Sequence, residues 1–219
     1  MPDPVNFAAG PVSISAESIV YVVDDEPPVR DALRSLLHSV GIAVADFPTI
    51  DAFFCCDMPP VPSCVILDVR LKGQSGLAAQ ARIGQDFGIP IIFITGYADV
   101  EMSVQAMKAG ACDFIEKPFR GQRMLDAVSR ALNADRCRRD LIRSSEKLLR
   151  CFGSLTPRER DVMGLVAKGL LNKQIATRLK LSEITVKMHR GKAMKKMEAR
   201  SIADFVLKAD ALGLADWRG

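Results

Sequence analysis

Histidine is scarce in this chain of 219 residues: only His38 and His189 occur. The six cysteines, at 55, 56, 64, 112, 137 and 151, include no C-x-x-C pair, and neither histidine is spaced to complete a zinc set. A zinc ribbon is thereby excluded, and so is a disulfide-stapled mini-protein. Cys64 and Cys112 fall in apolar, strand-like runs, where a small buried thiol is expected, and the spacing points to a reducing cytoplasm. Long hydrophobic runs are also missing. The longest are strand-sized, well short of the ~20 residues of a membrane span, so no membrane partner is expected. The N-terminus lacks a basic stretch followed by an apolar one, so no secretory signal is expected.

What is present is ample apolar material, 48% hydrophobic and 26% charged residues, enough for one large domain or two small ones and too much for a disordered chain. The formal charge of +4 is unevenly spread. Residues 1–120 hold 8 basic against 15 acidic residues, 121–151 hold 8 against 4, and 152–219 hold 14 against 7. An acidic half joined to a basic half predicts two modules with different partners, the basic one suited to nucleic acid.

Residues 1–17 show no periodicity and read as a loose tail. Strand and helix patterns then alternate. Apolar runs predict strands at Ile19–Asp25, Ala43–Phe47, Cys64–Val69, Ile89–Thr95 and Cys112–Glu116. Pro27 and Pro28 open a helix with Val29, Leu33, Leu36, Leu37 and Val40 on its apolar face, ended by Gly41. Further helices are predicted at Ile50–Cys55, Gly76–Ile83 and Val100–Ala109. Strands alternating with helices imply a parallel, doubly wound α/β sheet that binds ligands at the carboxyl ends of its strands.

Over residues 120–152, Leu125, Val128, Leu132, Leu141, Ile142, Leu148 and Leu149 recur at helical spacing, which extends the fifth helix into a long linker. Charges at Asp135, Arg139 and Glu146 weaken any coiled-coil seam there. Arg136, Arg138 and Arg139 are placed either to reach DNA or to contact the acidic half. The last block is helical throughout. Thr156-Pro157-Arg158-Glu159 is a capping box before Val162, Leu165 and Val166, and Asn172 is expected to cap a short helix with Ile175, Ala176 and Leu179. Lys180-Leu181 makes a turn, Ser182 caps a helix running through Met197, and Ser201 caps a fourth with Phe205 and Val206 inward. Helix, tight turn and cationic helix form the helix-turn-helix pattern.

Chemistry gathers at the strand ends. Asp24 and Asp25 end the first predicted strand, Asp68 falls at the end of the third, Thr95 ends the fourth and Lys117 follows the fifth. One acid capping one strand would mean little; parallel topology brings all of these to one edge. Clustered carboxylates there favour a hard divalent cation such as Mg²⁺, and a metal-neutralised carboxylate can accept a phosphoryl group. Thr95 can hydrogen-bond a transferred phosphoryl oxygen and Lys117 can neutralise it.

In the basic block, projection of Glu183–Met197 at 100° per residue places Val186, Ala193 and Met197 on one face. Ile184, Lys187, Met188, Gly191, Lys192 and Lys195 fall on the other, a stripe suited to the major groove. Gly191 admits a close approach of the backbone to DNA. Asn172, Lys173, Thr185 and Arg190 join the expected contacts, Thr185 and Arg190 to phosphates, whereas packing is expected of His189.

Val23-Asp24-Asp25-Glu26, Leu67-Asp68-Val69-Arg70 with Gly73, Ser75 and Gly76, Ile94-Thr95-Gly96, and Asp113 through Phe119 resemble the receiver domain of bacterial response regulators. The resemblance implies that a histidine kinase phosphorylates Asp68. It implies that Asp25, Asp68 and the Arg70 carbonyl hold Mg²⁺, with Asp24 acting through water. It further implies that Thr95 and Phe114 form a switch pair, and that the Lys117–Pro118 bond is cis. Lys72 stands where the family commonly has proline. Leu155 through Glu159, Asn172 through Ala176 and Thr185 through Gly191 resemble the LuxR-type DNA-binding domain, with the His189-Arg190-Gly191 run similar to the FixJ-type branch.

The expected organisation is a tail (1–17), a five-stranded receiver (18–121), a linker helix (122–152) and a four-helix helix-turn-helix domain (153–219). The expected function is a cytoplasmic transcription factor that dimerises on phosphorylation, binds double-stranded promoter DNA and engages RNA polymerase. Two alternatives stand beside it. In one, a DNA-binding regulator uses the receiver as a phosphate-independent dimerisation module. In the other, the chain is a Mg²⁺-dependent phosphohydrolase. Such enzymes need a second carboxylate two residues past the nucleophile, and Arg70 stands there. No catalytic turnover is expected beyond slow self-dephosphorylation.

Overall fold

A computed structural model describes residues 17–97 and 99–214. The tail expected before Glu17, and residues 215–219, lie outside the described residues. The chain forms two compact units, one ending at Arg139 and one beginning at Asp140.

The first unit runs β1 (Ile19–Val23), α1 (Pro27–His38), β2 (Ala43–Phe47), α2 (Ile50–Phe54), β3 (Ser63–Asp68), β4 (Arg70–Leu71), β5 (Gln74–Ser75), α3 (Gly76–Asp86), β6 (Ile91–Thr95), α4 (Val100–Lys108) and β7 (Asp113–Glu116), and ends in the first half of α5 (Gly121–Gly153). β2, β1, β3, β6 and β7 lie in that order in one parallel sheet. The continuous apolar runs are explained by burial on both faces. Tyr21, Leu67 and Phe93 face a core with Phe53 of α2, Ile83 of α3 and Ala106 of α4. Val20, Val22, Ile66 and Ile94 face the other side with Leu33 and Leu37 of α1 and Val128 of α5.

The few aromatics are concentrated. Phe53 packs edge-on against Tyr21, Phe47 and Phe87, and Phe87 stacks on Phe54, over which the Arg82 guanidinium sits 3.8 Å from the ring centre. Cys64 is fully buried and Cys112 half-buried, and burial pushes both thiols up. Two features depart from expectation. Val40 lies past the end of α1 and is exposed, and β4 pairs with β5 in a small antiparallel hairpin after β3.

α5 spans 33 residues. Its first half buries Met124, Ala127, Val128, Ala131 and Leu132 at helical spacing. Asp135 then turns inward, fully buried. It accepts from the Ser63 N–H at 2.9 Å and from the Arg138 and Arg139 guanidinium groups, and Arg139 also reaches Ser63 Oγ. Arg138 and Arg139 lie at the end of the first unit and bond within it, whereas Arg136 bonds Asn133. Leu141, Ile142 and Leu149 are exposed.

The second unit contains the rest of α5, α6 (Pro157–Ala167), α7 (Asn172–Leu179), α8 (Glu183–Lys196) and α9 (Ile202–Ala211), around a core that includes Val162, Val166, Ile175, Val186, Ala193 and Phe205. Thr156 and Glu159 close the expected capping box, and Ser182 and Ser201 cap α8 and α9. Asn172 is not a cap: it is the first residue of α7. Leu171 takes the N-cap position without a side-chain acceptor to offer, and its N–H donates to Gln174 Oε1 at 2.8 Å. Among the described residues no helix is long and apolar enough to cross a membrane.

Candidate functional site

Register assembles the acidic pocket. β1 and β3 are neighbours with Val23 opposite Leu67, so Asp24 and Asp68 emerge side by side from the sheet edge. β2 lies beyond β1 and β6 beyond β3, so the pocket sits where the chain reverses its winding direction. Asp68 pairs with Ile94, and Thr95 with Glu116, which brings Thr95 and Lys117 to the same edge. Asp24 and Thr95 are fully buried and Asp68 is nearly so.

The Lys117 ammonium joins three strands. Its Nζ donates to Asp24 Oδ2 and Asp68 Oδ2, both at 2.7 Å, and lies 3.4 Å from Glu26 Oε1. The Lys117–Pro118 bond is cis. Burial holds the Asp24 carboxyl above the ordinary carboxylate range, despite the opposing hydrogen bonds from Lys117 and the Glu26 N–H. Burial pushes Lys117 down, but Asp24 and Asp68 outweigh it, and its net shift is upward.

Asp24, Asp25 and Asp68 each place a carboxylate oxygen within 4.8 Å of the others. This oxygen-only set, three acids against one ammonium, fits a hard divalent cation. The Arg70 N–H donates to Asp68 Oδ1 at 2.8 Å, so the Arg70 peptide adjoins the Asp68 carboxylate. Lys72, in the β4–β5 turn, stands 3.5 Å from Asp25 with its side chain 87% exposed, an arrangement that contributes little.

The Thr95 hydroxyl is engaged within its own loop. It accepts from the Tyr97 N–H at 3.2 Å and donates to the Tyr97 carbonyl at 3.3 Å. Phe114 is half-buried 6.4 Å from Phe93, ring centre to ring centre, and lines a cleft of about 570 Å³ with Val100, Ser103, Met107 and Asp113. Tyr97, which no motif in the sequence marks, places its ring under the Arg70 guanidinium at 5.1 Å. Arg123 and Arg130, likewise unmarked, pair with Asp113. These contacts join residues with no periodic relation, so no sequence signal announces them.

The expected DNA-contacting residues divide into two groups. Lys173, Lys187, Met188, Gly191, Lys192 and Lys195 are exposed, and a Cβ at Gly191 would meet nothing within 4 Å. Asn172, Thr185 and Arg190 are partly buried. Arg190 donates to Asn172 Oδ1 at 3.1 Å, which ties α8 to α7, and Thr185 Oγ1 bonds Ser182 Oγ at 2.8 Å. His189 Nδ1 is buried without a hydrogen-bond partner, in keeping with a packing role.

Comparison with known families matches residues 20–129 to the response regulator receiver domain and residues 153–209 to the bacterial regulatory proteins of the luxR family. The chain is 48% identical over 207 residues to nodulation protein W of Bradyrhizobium diazoefficiens, covering 94% of this chain and 91% of that one. The chain belongs to the response regulators. This response regulator is also 38% identical to the transcriptional regulatory protein FixJ of the same organism, over 89% of its own length and 96% of FixJ. Its fold matches the solved response regulator StyR with a TM-score of 0.81 and 42% identity, covering 89% of this chain and 99% of StyR. The architecture is a five-stranded parallel receiver, a helical linker and a helical DNA-binding domain, and the family regulates transcription rather than catalysing turnover.

Proposed function

We propose that Asp68 accepts a phosphoryl group from a sensor histidine kinase and that the modified receiver controls binding to promoter DNA. The observation that carries this reading is the Lys117 ammonium held at 2.7 Å from both Asp24 and Asp68, beside Asp25. In the transfer, an Asp68 carboxylate oxygen forms the bond to phosphorus as the phosphorus–nitrogen bond of the kinase phosphohistidine breaks and the imidazole leaves. Asp25, Asp68 and the Arg70 carbonyl would hold Mg²⁺, with Asp24 acting through water, and the bound ion would supply charge to offset the carboxylates and phosphoryl oxygens. Lys117, set by Pro118, neutralises a further phosphoryl oxygen.

Thr95 leaves its bonds to Tyr97 for the phosphoryl group, and Phe114 moves with it. The adjoining face of α4 and β7 then pairs with a second copy. Val100, exposed at 79%, and the half-exposed Val104 and Met107 support this, since they offer apolar area beside the Phe114 cleft. On duplex DNA, Lys173, Lys187, Met188, Gly191, Lys192 and Lys195 face the groove, while Asn172, Thr185 and Arg190 fix α8 and reach phosphates. RNA polymerase is the downstream partner and the cytoplasm the compartment.

The test compares full-length wild type with Asp68→Asn, with and without beryllofluoride and Mg²⁺, by light scattering and DNA-binding titration. Wild type is expected to double in mass and to gain about tenfold in affinity, and Asp68→Asn to do neither. Equal DNA affinity for the two proteins in beryllofluoride would establish the phosphate-independent alternative. Multiple-turnover phosphatase activity lost in Asp68→Asn would establish the enzyme. A wild type that gains affinity while monomeric would replace dimerisation by release of inhibition.

A further inference from the structure

Ile184 is the most exposed large apolar side chain among the described residues, at 82%. It occupies the first turn of α8, after the Ser182 cap, opposite the buried Val186 and Ala193. At 100° per residue it lies near the middle of the stripe of Lys187, Met188, Gly191, Lys192 and Lys195, all of them exposed. Neither helix propensity nor packing accounts for it. A β-branched residue is a mediocre helix former, and this one contributes nothing to the core. An apolar side chain ringed by lysines matches a surface that is anionic at its margins and apolar at one point in its floor. The major groove of DNA is such a surface, with phosphates along its walls and the C5-methyl of thymine projecting from its floor. Residues in the first turn of a recognition helix are the ones that reach base edges.

We propose that Ile184 reads sequence by packing its methyl groups on the C5-methyl of a thymine, which specifies a T·A pair at one fixed position of each half-site. Cytosine lacks that methyl, so the discrimination is that of one buried methyl group. The inference rests on the DNA-binding reading above and deepens it: the lysines supply attraction without sequence preference, and Ile184 supplies preference.

The experiment selects duplexes from a random pool with the full chain in beryllofluoride and Mg²⁺, then replaces each thymine of the selected site singly by deoxyuridine, which lacks the methyl. One position in each half-site is expected to weaken wild-type binding about fourfold when replaced singly, the worth of one methyl group. In Ile184→Ala that sensitivity disappears while any other uridine effects persist; in Ile184→Val most of it remains. Leu207→Ser removes another exposed apolar side chain, on α9, and is expected to leave the scan unchanged. A flat scan in wild type, or a sensitivity that survives Ile184→Ala, overturns the proposal. So does an Ile184→Ala protein with wild-type affinity for every duplex, which would leave the side chain to a protein partner. Failure of the wild type to enrich any duplex overturns the DNA-binding reading itself.

Discussion

Gly76 opens α3 directly behind Asp68, and a Cβ there would overlap the Asp68 carbonyl oxygen and crowd the Leu67 side chain. Its φ is ordinary, so glycine is required by space and not by backbone freedom. Gly76→Ala is therefore expected to push back the end of β3, destabilising the first unit by about 1–3 kcal/mol and slowing phosphoryl uptake. Urea titration and a phosphorylation time course check both; a variant matching wild type in each would show that the end of β3 moves freely. Asp135 supports a second prediction. Burial raises its carboxyl, but hydrogen bonds from Arg139, the Ser63 N–H and Arg138 outweigh burial and hold it below the ordinary range. A lowered carboxylate contributes stability that is present above the unfolded pKa of about 4 and is lost as pH falls through the folded value. Asp135→Asn is expected to cost about 2–3 kcal/mol at neutral pH, with the gap to wild type narrowing as pH falls below about 4. A gap independent of pH would assign the loss to packing.

Among the elements, the turn between α7 and α8 holds a non-glycine residue in the left-handed region, Lys180 at φ 55°. The Leu181 N–H closes the helix end onto the Ala176 carbonyl at 2.9 Å, and the exposed Lys180 side chain contributes no core contact. Lys180→Gly is expected to raise the stability of the second unit by about 1 kcal/mol, read as a higher thermal midpoint; a lower one would show that the lysine side chain matters. That turn was legible in sequence as a break between two periodic segments. So were β1, β3 and β6, because strands buried on both faces leave unbroken apolar runs. The acidic pocket was legible because parallel topology alone brings Asp24, Asp68 and Lys117 to one edge. The β4–β5 hairpin was not, since two-residue strands have no period. Asn172 falls one position inside α7 because the side chain that fixes the start of the helix is Gln174, whose Oε1 accepts from the Leu171 N–H. Asp135 read as a charge interrupting a seam, when its partners include Ser63, 72 residues away.

Over the whole molecule, the formal charge of +4 divides into an acidic block that holds the cluster of Asp24, Asp25 and Asp68 and a basic block that carries the lysine stripe of α8. Counting lysines overstates the second, because they do not all face outward. Lys192 is exposed on the lysine-rich face of α8. Lys196 is occupied: its Nζ donates to Glu159 Oε2 at 2.7 Å and to the Ser154 carbonyl at 3.1 Å, bracing α8 against the start of α6. Glu159 is itself 3% exposed and holds the Thr156 N–H, so removing Lys196 would strand a buried carboxylate. The two substitutions should therefore separate. Each phosphate neutralised contributes about 0.9 to the slope of log affinity against log salt. Lys192→Ala is expected to flatten that slope by about one and to leave the unfolding midpoint alone. Lys196→Ala is expected to leave the slope alone and to cost the second unit about 2 kcal/mol. Titrations at several salt concentrations, paired with denaturation of the same samples, check both. If Lys196→Ala flattened the slope without loss of stability, its pairing with Glu159 would have to open on DNA. The basic face would then be larger by one charge than the free protein presents.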